Sequence, residues 1–391
     1  MRRARVALVL LFAAAVFAAP AVAKVRPGPK GAAFYMPPKQ LKGKHGGLVW
    51  ARKHTGRDAL KGASRNELLL YRSTDIDGEK IAVSGSLALP RGKVPKGGWP
   101  LITYAHGTTG AADRCAPSRG YDANDLTSYA YPLLRRWLKA GYAVVRTDYE
   151  GLGTPGVHHY LLGLSEGRSV LDAARAARAF APRKLSKRLI ISGHSQGGHA
   201  ALFAASLAPT WTPELRVRGT VAFAPASHLA TQSQATLGVG LPGGGFGAIA
   251  GLVLRGVDLA HPSLEVAGLL TPQAAALYPQ TETVCFDALS ANTSFGGLPL
   301  NQILRSDVDL SPLLAVVGRS DPEQLAIETP VRIEQGDADT TVFKAFTDQL
   351  VAAYAQSGAK VTYAIYPGIS HRGVVDAGAK DAARYIKQRL K

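Results

Sequence analysis

Residues 188–207 read RLIISGHSQGGHAALFAASL. The β-branched apolar run Leu189-Ile190-Ile191 has the character of a buried strand, and the Ala-rich run after Gly198 that of a helix. Between them lies Gly193-His194-Ser195-Gln196-Gly197, a Gly-x-Ser-x-Gly turn extended by Gly198. A strand that turns sharply into a helix leaves no room for β-carbons where the two meet, which accounts for glycine at 193, 197 and 198. Such a nucleophile elbow holds its central serine out above a sheet. The helix behind it brings positive potential and unpaired N–H groups to the same place. In a chain with 42 glycines the pentapeptide alone is a cheap match. Its strand–turn–helix setting is what makes it informative.

Upstream of the elbow, residues 67–74 and 80–89 alternate like paired strands around the turn Asp75-Ile76-Asp77-Gly78. A short apolar strand, 101–105, ends in His106-Gly107-Thr108-Thr109-Gly110, and 142–147 forms the next. Residues 129–140 read as a helix closed by Gly141. A second helix starts at Ser165, with Val170, Leu171, Ala174, Ala177 and Phe180 at helical spacing. Downstream, 219–224, 331–335 and 360–366 read as strands, with helices over 343–356 and 376–390. Strands alternating with helices predict an α/β fold with a mainly parallel central sheet covered on both faces. The interval 227–326 breaks that rhythm with Gly243-Gly244-Gly245, scattered prolines and apolar helical fragments, and it is too long for a loop. It is expected to be an inserted helical cap, leaving 63–226 and 327–391 as the core.

The N-terminus fixes the compartment. Residues 1–5 are basic, 6–19 are an almost unbroken apolar run, and Ala21-Val22-Ala23 is a small-x-small cleavage site. Residues 1–23 therefore read as a signal peptide, and the mature chain of about 368 residues as secreted. No later segment has the length and apolarity of a spanning helix. Residues 24–62, rich in Gly, Pro and Lys, read as an extended arm. Loss of three signal-peptide arginines lowers the formal charge from +18 to +15. That balance favours transient contact with anionic or lipid surfaces. The basic residues are scattered and accompany no nucleic-acid-binding motif, so a nucleic-acid partner is not expected. Two cysteines, Cys115 and Cys285, are expected to pair in an oxidising compartment, although two separate buried thiols would read the same way. They are too few for a metal site, and neither metal nor organic cofactor is implied.

A serine on an elbow needs a base and an acid, and in this kind of sheet they follow it in the order acid, then histidine. His371 is the histidine that comes after the last strand, on a loop able to bring its imidazole back over the sheet. His194 and His199 are nearer in sequence but sit inside the turn and along the helix, badly aimed at the Ser195 hydroxyl. The loop after strand 331–335 holds both Asp337 and Asp339. Gly336-x-x-Asp339-x-x-Val342 is the usual spelling at this place in hydrolases of this type and selects Asp339, with Asp337 as a turn residue the alternative. Oxyanion donors are expected from the Gln196 main chain and from Thr108, where Gly107 lets the backbone come close.

Taken together, the chain resembles an α/β-hydrolase, and within that fold it is similar to the secretory lipase family of fungi and actinobacteria. The likeness is carried by Tyr104-Ala105-His106-Gly107-Thr108, by 141–151 ending in Asp148-Tyr149-Glu150-Gly151, by the helix around Val170 to Ala176, and by 193–198. The resemblance implies an ester or lipid substrate, a triad of Ser195, Asp339 and His371, and a lid over 227–326. The central His-Ser-Gln departs from the family's commoner Tyr-Ser-Gly and is shared by many esterases, which leaves lipase and carboxylesterase both open. So do acyl transfer to another alcohol, peptide hydrolysis with the same triad, and a hydrolase-like binding protein.

Overall fold

The computed structural model describes residues 25–120, 126–237, 240 and 243–391. The expected signal peptide, 1–23, lies outside the described residues. Among these residues nine strands form one sheet in the order β1-β2-β3-β5-β4-β6-β7-β8-β9. They are β1 (Leu48–Lys53), β2 (Arg65–Thr74), β3 (Lys80–Leu89), β4 (Trp99–Ala105), β5 (Ala143–Thr147), β6 (Leu185–His194), β7 (Arg216–Phe223), β8 (Val331–Gly336) and β9 (Val361–Tyr366). From β5 to β9 all neighbours pair in parallel, whereas β1, β2, β3 and β5 pair antiparallel. The fold is an α/β-hydrolase sheet. The hairpin expected around Asp75–Gly78 is present in register Arg65 with Leu89 through Thr74 with Lys80.

The central strands are apolar on both faces because both are covered, and alternate residues enter different layers. Leu189 and Ile191 join one buried cluster while Ile190 joins the other. The first layer is built by α2 (Gly163–Phe180), α3 (Gln196–Trp211) and α7 (Lys344–Gln356). The second comes from α1 (Tyr131–Lys139) and α8 (Ala379–Arg389), preceded by the short turn Val374–Ala377. The closing helix read over 376–390 is thus split at Gly378, where a β-carbon would come 3.1 Å from Phe223 and from Val374 O.

The segment 24–62 differs from the extended arm expected of it. Leu48–Lys53 forms the sheet's edge strand, and Trp50 packs with Phe34, Tyr35 and Leu70 in a cluster of its own. The Trp50 indole N–H donates to Phe34 O at 2.9 Å. High Gly, Pro and Lys content around a six-residue strand masked its apolar core.

Between β7 and β8 the chain leaves the sheet through α4 (Leu229–Leu237), α5 (Gly245–Ala260), several single helical turns and α6 (Ser311–Gly318). Their buried side chains form a third apolar cluster that also takes in Tyr160 and Leu161. A disulfide joins Cys115 to Cys285, tying the loop beyond β4 to this inserted segment. Among the described residues no helix is long and apolar enough to cross a membrane.

Candidate active site

Ser195 sits between β6 and α3 with φ 59° and ψ −121°, a strained main chain for a residue with a side chain. The surrounding glycines are required sterically. A β-carbon on Gly193 would lie 2.0 Å from Gly197 O, and one on Gly197 would lie 2.0 Å from Ala105 O. The turn is held by Ser195 N–H donating to Phe223 O at 2.9 Å and by Ser195 O accepting from His199 N at 3.0 Å. Strain at Ser195 is therefore locked in by the neighbouring strand and by the helix it starts.

The ends of β8 and β9 bring Asp339 and His371 together. Asp339, buried, accepts from His371 Nδ1 at 2.7 Å through Oδ2. The same oxygen takes Gln335 Nε2 at 3.1 Å, and Oδ1 takes the Thr341 and Val342 amides at 2.8 and 2.9 Å. Four donors around one carboxylate fix its orientation, and with Nδ1–H committed to Asp339 the His371 Nε2 is left as the basic nitrogen. Ser195, His371 and Thr108 line one cavity of about 300 Å³. Asp337 has a different job: its Oδ1 accepts Gly368 N–H at 2.6 Å and braces the two loops against each other.

His194 supports His371 from behind. Its Nε2 faces the His371 main-chain oxygen at 2.8 Å and so carries the proton, while Tyr129 OH donates to Nδ1 at 2.6 Å. Burial, followed by the electrostatic effect of the neighbouring His371 ring, holds its pKa well below the usual histidine range, so His194 stays neutral. His199 points away from Ser195: Nε2 donates to Ser320 O at 2.7 Å and Nδ1 lies 3.2 Å from Glu166.

Gln196 is the first residue of α3, so its N–H has no acceptor within the helix and is available beside the nucleophile. Its side chain turns into the protein and donates to His158 Nε2 at 2.8 Å and Glu166 Oε1 at 2.7 Å. Thr108 Oγ1 meets Tyr160 OH at 2.7 Å. Sequence reading missed His158, Tyr160 and Glu166. Glu166 looks like an ordinary acid in the first turn of α2, and no fixed spacing ties it or the 158–161 loop to Ser195. The Asp148-Tyr149-Glu150-Gly151 turn that leads into this loop was the one available signal.

A second, apolar cavity of about 130 Å³ opens from Ser195 and Gln196 into the inserted helices. One face of α5 lines it with Phe246, Ile249 and Val253, while Ala248, Leu252 and Val257 on the other face are buried in the third apolar cluster. The apolar run 246–254 thus both packs within the inserted segment and lines the cavity. Among the described residues no group of three or more His, Cys, Asp or Glu is arranged to hold a metal ion.

The model of the family described as "Secretory lipase" matches residues 123–391, more than half of the chain. The chain belongs to the secretory lipase family. This secretory lipase family member is 29% identical to Lipase A of Moesziomyces aphidis over 64% of its own length and 55% of that protein's. It is 33% identical to "Secreted triacylglycerol lipase LIP4" of Malassezia globosa over 59% of itself and 50% of the relative. It therefore spans about half the length of these relatives. A Mycobacterium tuberculosis relative named "Probable inactive lipase" is 27% identical over 75% of this chain and 67% of its own. The fold superposes on Candida antarctica lipase A in its closed state with TM-score 0.75, 23% identity, and 88% and 82% of the two chains covered. It also matches a rice cell wall degrading esterase from Xanthomonas oryzae, with TM-score 0.71, 21% identity, and 88% and 97% covered.

Proposed function

We propose that the chain is a secreted serine hydrolase that cleaves carboxylic acyl esters, with Ser195 as nucleophile, His371 as base and Asp339 as its orienting acid. The observation that carries this reading is the 2.7 Å bond from His371 Nδ1 to buried Asp339, with His371 facing the cavity that Ser195 lines. One relative's name includes the word inactive, so membership of the family does not by itself imply turnover. The presence of all three residues supports an active site here. Extracellular action is supported by a relative named as a secreted lipase and by the N-terminal signal pattern.

In the proposed cycle, Ser195 Oγ attacks the ester carbonyl as its proton passes to His371 Nε2. The tetrahedral oxyanion is held by the Gln196 and Thr108 main-chain N–H groups. His371 then gives its proton to the departing alcohol, and a water molecule repeats the sequence on the acyl-enzyme. We assign 227–326 as a helical cap over the core of 63–226 and 327–391, its apolar cavity taking the acyl chain. Hydrolysis of p-nitrophenyl esters from acetate to palmitate, with Ser195→Ala as control, tests the reading. Turnover that disappears in Ser195→Ala is expected. Absence of turnover at every chain length, or turnover that survives the substitution, refutes it.

A further inference from the structure

Both candidate oxyanion residues are reached by one short loop. His158 Nε2 accepts from the Gln196 side chain at 2.8 Å, and two residues later Tyr160 OH meets Thr108 Oγ1 at 2.7 Å. Next in sequence, Leu161 has φ 55°, a left-handed conformation that a branched side chain resists. What holds it there is Glu166, fully buried, whose Oε1 accepts Leu161 N–H at 3.0 Å and Gln196 Nε2 at 2.7 Å. The other carboxylate oxygen faces His199 Nδ1 at 3.2 Å, and His199 in turn donates to Ser320 O on the strand-ward return of the inserted segment.

The loop is braced from the opposite side as well. His158 Nδ1 donates to Glu150 O at 3.0 Å, and its ring stacks on Tyr149 with centroids 5.4 Å apart and an interplanar angle of 13°. Tyr149 OH donates to His106 O at 2.8 Å, immediately before the Gly107–Thr108 loop. Burial lowers the His158 pKa, which leaves Nε2 a neutral acceptor for the Gln196 amide. Both His158 ring nitrogens, both Glu166 oxygens and the Gln196 amide nitrogen have partners within this chain of contacts. A connected buried network of this kind fixes geometry more strongly than its separate bonds do.

We infer that the loop 158–161, anchored by Glu166, is a positioning clamp that sets both oxyanion donors at once, one through the Gln196 side chain and one through the Thr108 hydroxyl. The inference rests on the serine-hydrolase reading and adds positioning residues to it. Glu166, His158 and Tyr160 touch no reacting atom. They act by holding Gln196 N–H and the Thr108 main chain at the place where the oxyanion forms. Complete loss of one oxyanion donor costs roughly 10²–10³ in kcat, so a displaced donor should cost about 10- to 100-fold.

The test compares wild type with Glu166→Ala, Glu166→Gln and Tyr160→Phe on p-nitrophenyl butyrate, and measures inhibition by butylboronic acid. That probe forms a bond from Ser195 Oγ to boron as the serine proton passes to His371, and the tetrahedral adduct places an oxygen in the oxyanion position. Glu166→Ala should lower kcat by about 10- to 100-fold with KM within about threefold, and weaken boronate inhibition by a similar factor. Glu166→Gln should recover most of that loss. Its carbonyl can still accept from Leu161 and Gln196, and its amide can donate to His199 Nδ1. Tyr160→Phe removes one hydroxyl and keeps the ring, so it remains informative where Glu166→Ala does not fold. It should lower kcat and boronate affinity together by about three- to tenfold, a partial loss of donor placement. Inactive wild-type protein would refute the hydrolase reading and this inference with it. Active wild type, with kcat and boronate affinity unchanged in Tyr160→Phe, or with losses in KM alone, overturns the clamp and leaves the hydrolase reading standing.

Discussion

The Cys115–Cys285 bridge gives a stability effect whose size follows from topology. It closes a loop across a sequence separation of 170 residues. In the chain-entropy model a crosslink of that span disfavours the unfolded chain by about 5 kcal/mol at 25 °C. A mature chain of this size unfolds with an entropy of roughly 0.8 kcal/mol/K, so removing the bridge should lower Tm by about 6 °C. Both cysteines are buried, and Phe286 N–H, next to Cys285, donates to Thr109 O at 3.0 Å. Loosening the bridge therefore also frees the loop that carries Thr108, and kcat should fall several-fold. Calorimetry of oxidised wild type, Cys115→Ala, Cys285→Ala and the double variant checks the argument. Each single substitution breaks the same bond, so each should show nearly the whole shift and the double little more. A double variant within about 2 °C of wild type, or singles that contribute independent halves, would refute the crosslink account.

Three further outcomes are expected. Asp339→Asn should reduce kcat by about 10³–10⁴ because the His371 tautomer is lost, whereas Asp337→Asn should stay within about twofold; equal losses in the two would reassign the acid. Val253→Trp places an indole in the apolar cavity that α5 lines, so octanoate and longer esters should lose turnover while acetate keeps it. A uniform loss across chain lengths would place the acyl chain elsewhere. Burial, followed by repulsion from Glu323, raises the Asp321 pKa to about 6 from its ordinary 3.8. The folded state then binds more protons than the unfolded one between those values, so this group's contribution to stability is present below about pH 4 and is lost as pH rises to 6. Asp321→Asn removes that loss, and its Tm relative to wild type should climb from pH 4 to pH 7; a pH-independent difference would show that Asp321 does not titrate as described.

Much of the core was legible because its signals are local. The elbow announces itself through glycines whose β-carbons would collide with Ala105 and Gly197, a constraint confined to a few consecutive residues. His371 and Asp339 could be singled out because each follows a strand, and strand order along the chain is preserved at the end of the sheet where the two side chains meet. Spatial strand order was not legible: β3 pairs with β5 rather than with β4, a choice made by long-range register that no local pattern records. β1 was hidden for a related reason, since six residues among Gly, Pro and Lys reveal their pairing only once β2 is in place.

The contacts around Gln196 and Thr108 were not legible for a different reason. Gln196 and Glu166 are thirty residues apart and Thr108 and Tyr160 fifty-two. Their contacts exist because α2 and α3 pack side by side in the layer behind β6, which brings the start of one helix against the start of the other. A glutamate in the first turn of α2 is ordinary as a helix residue; buried beside the N-terminus of α3 it becomes costly unless every lone pair is used. The fold meets that requirement with donors from Leu161 and Gln196 and with the His199 ring 3.2 Å from the other oxygen. Those groups lie on or beside the elements that carry Ser195 and the proposed oxyanion residues. The same carboxylate therefore links core packing to donor placement, and substitutions there should separate kcat from KM as substitutions elsewhere in the core would not.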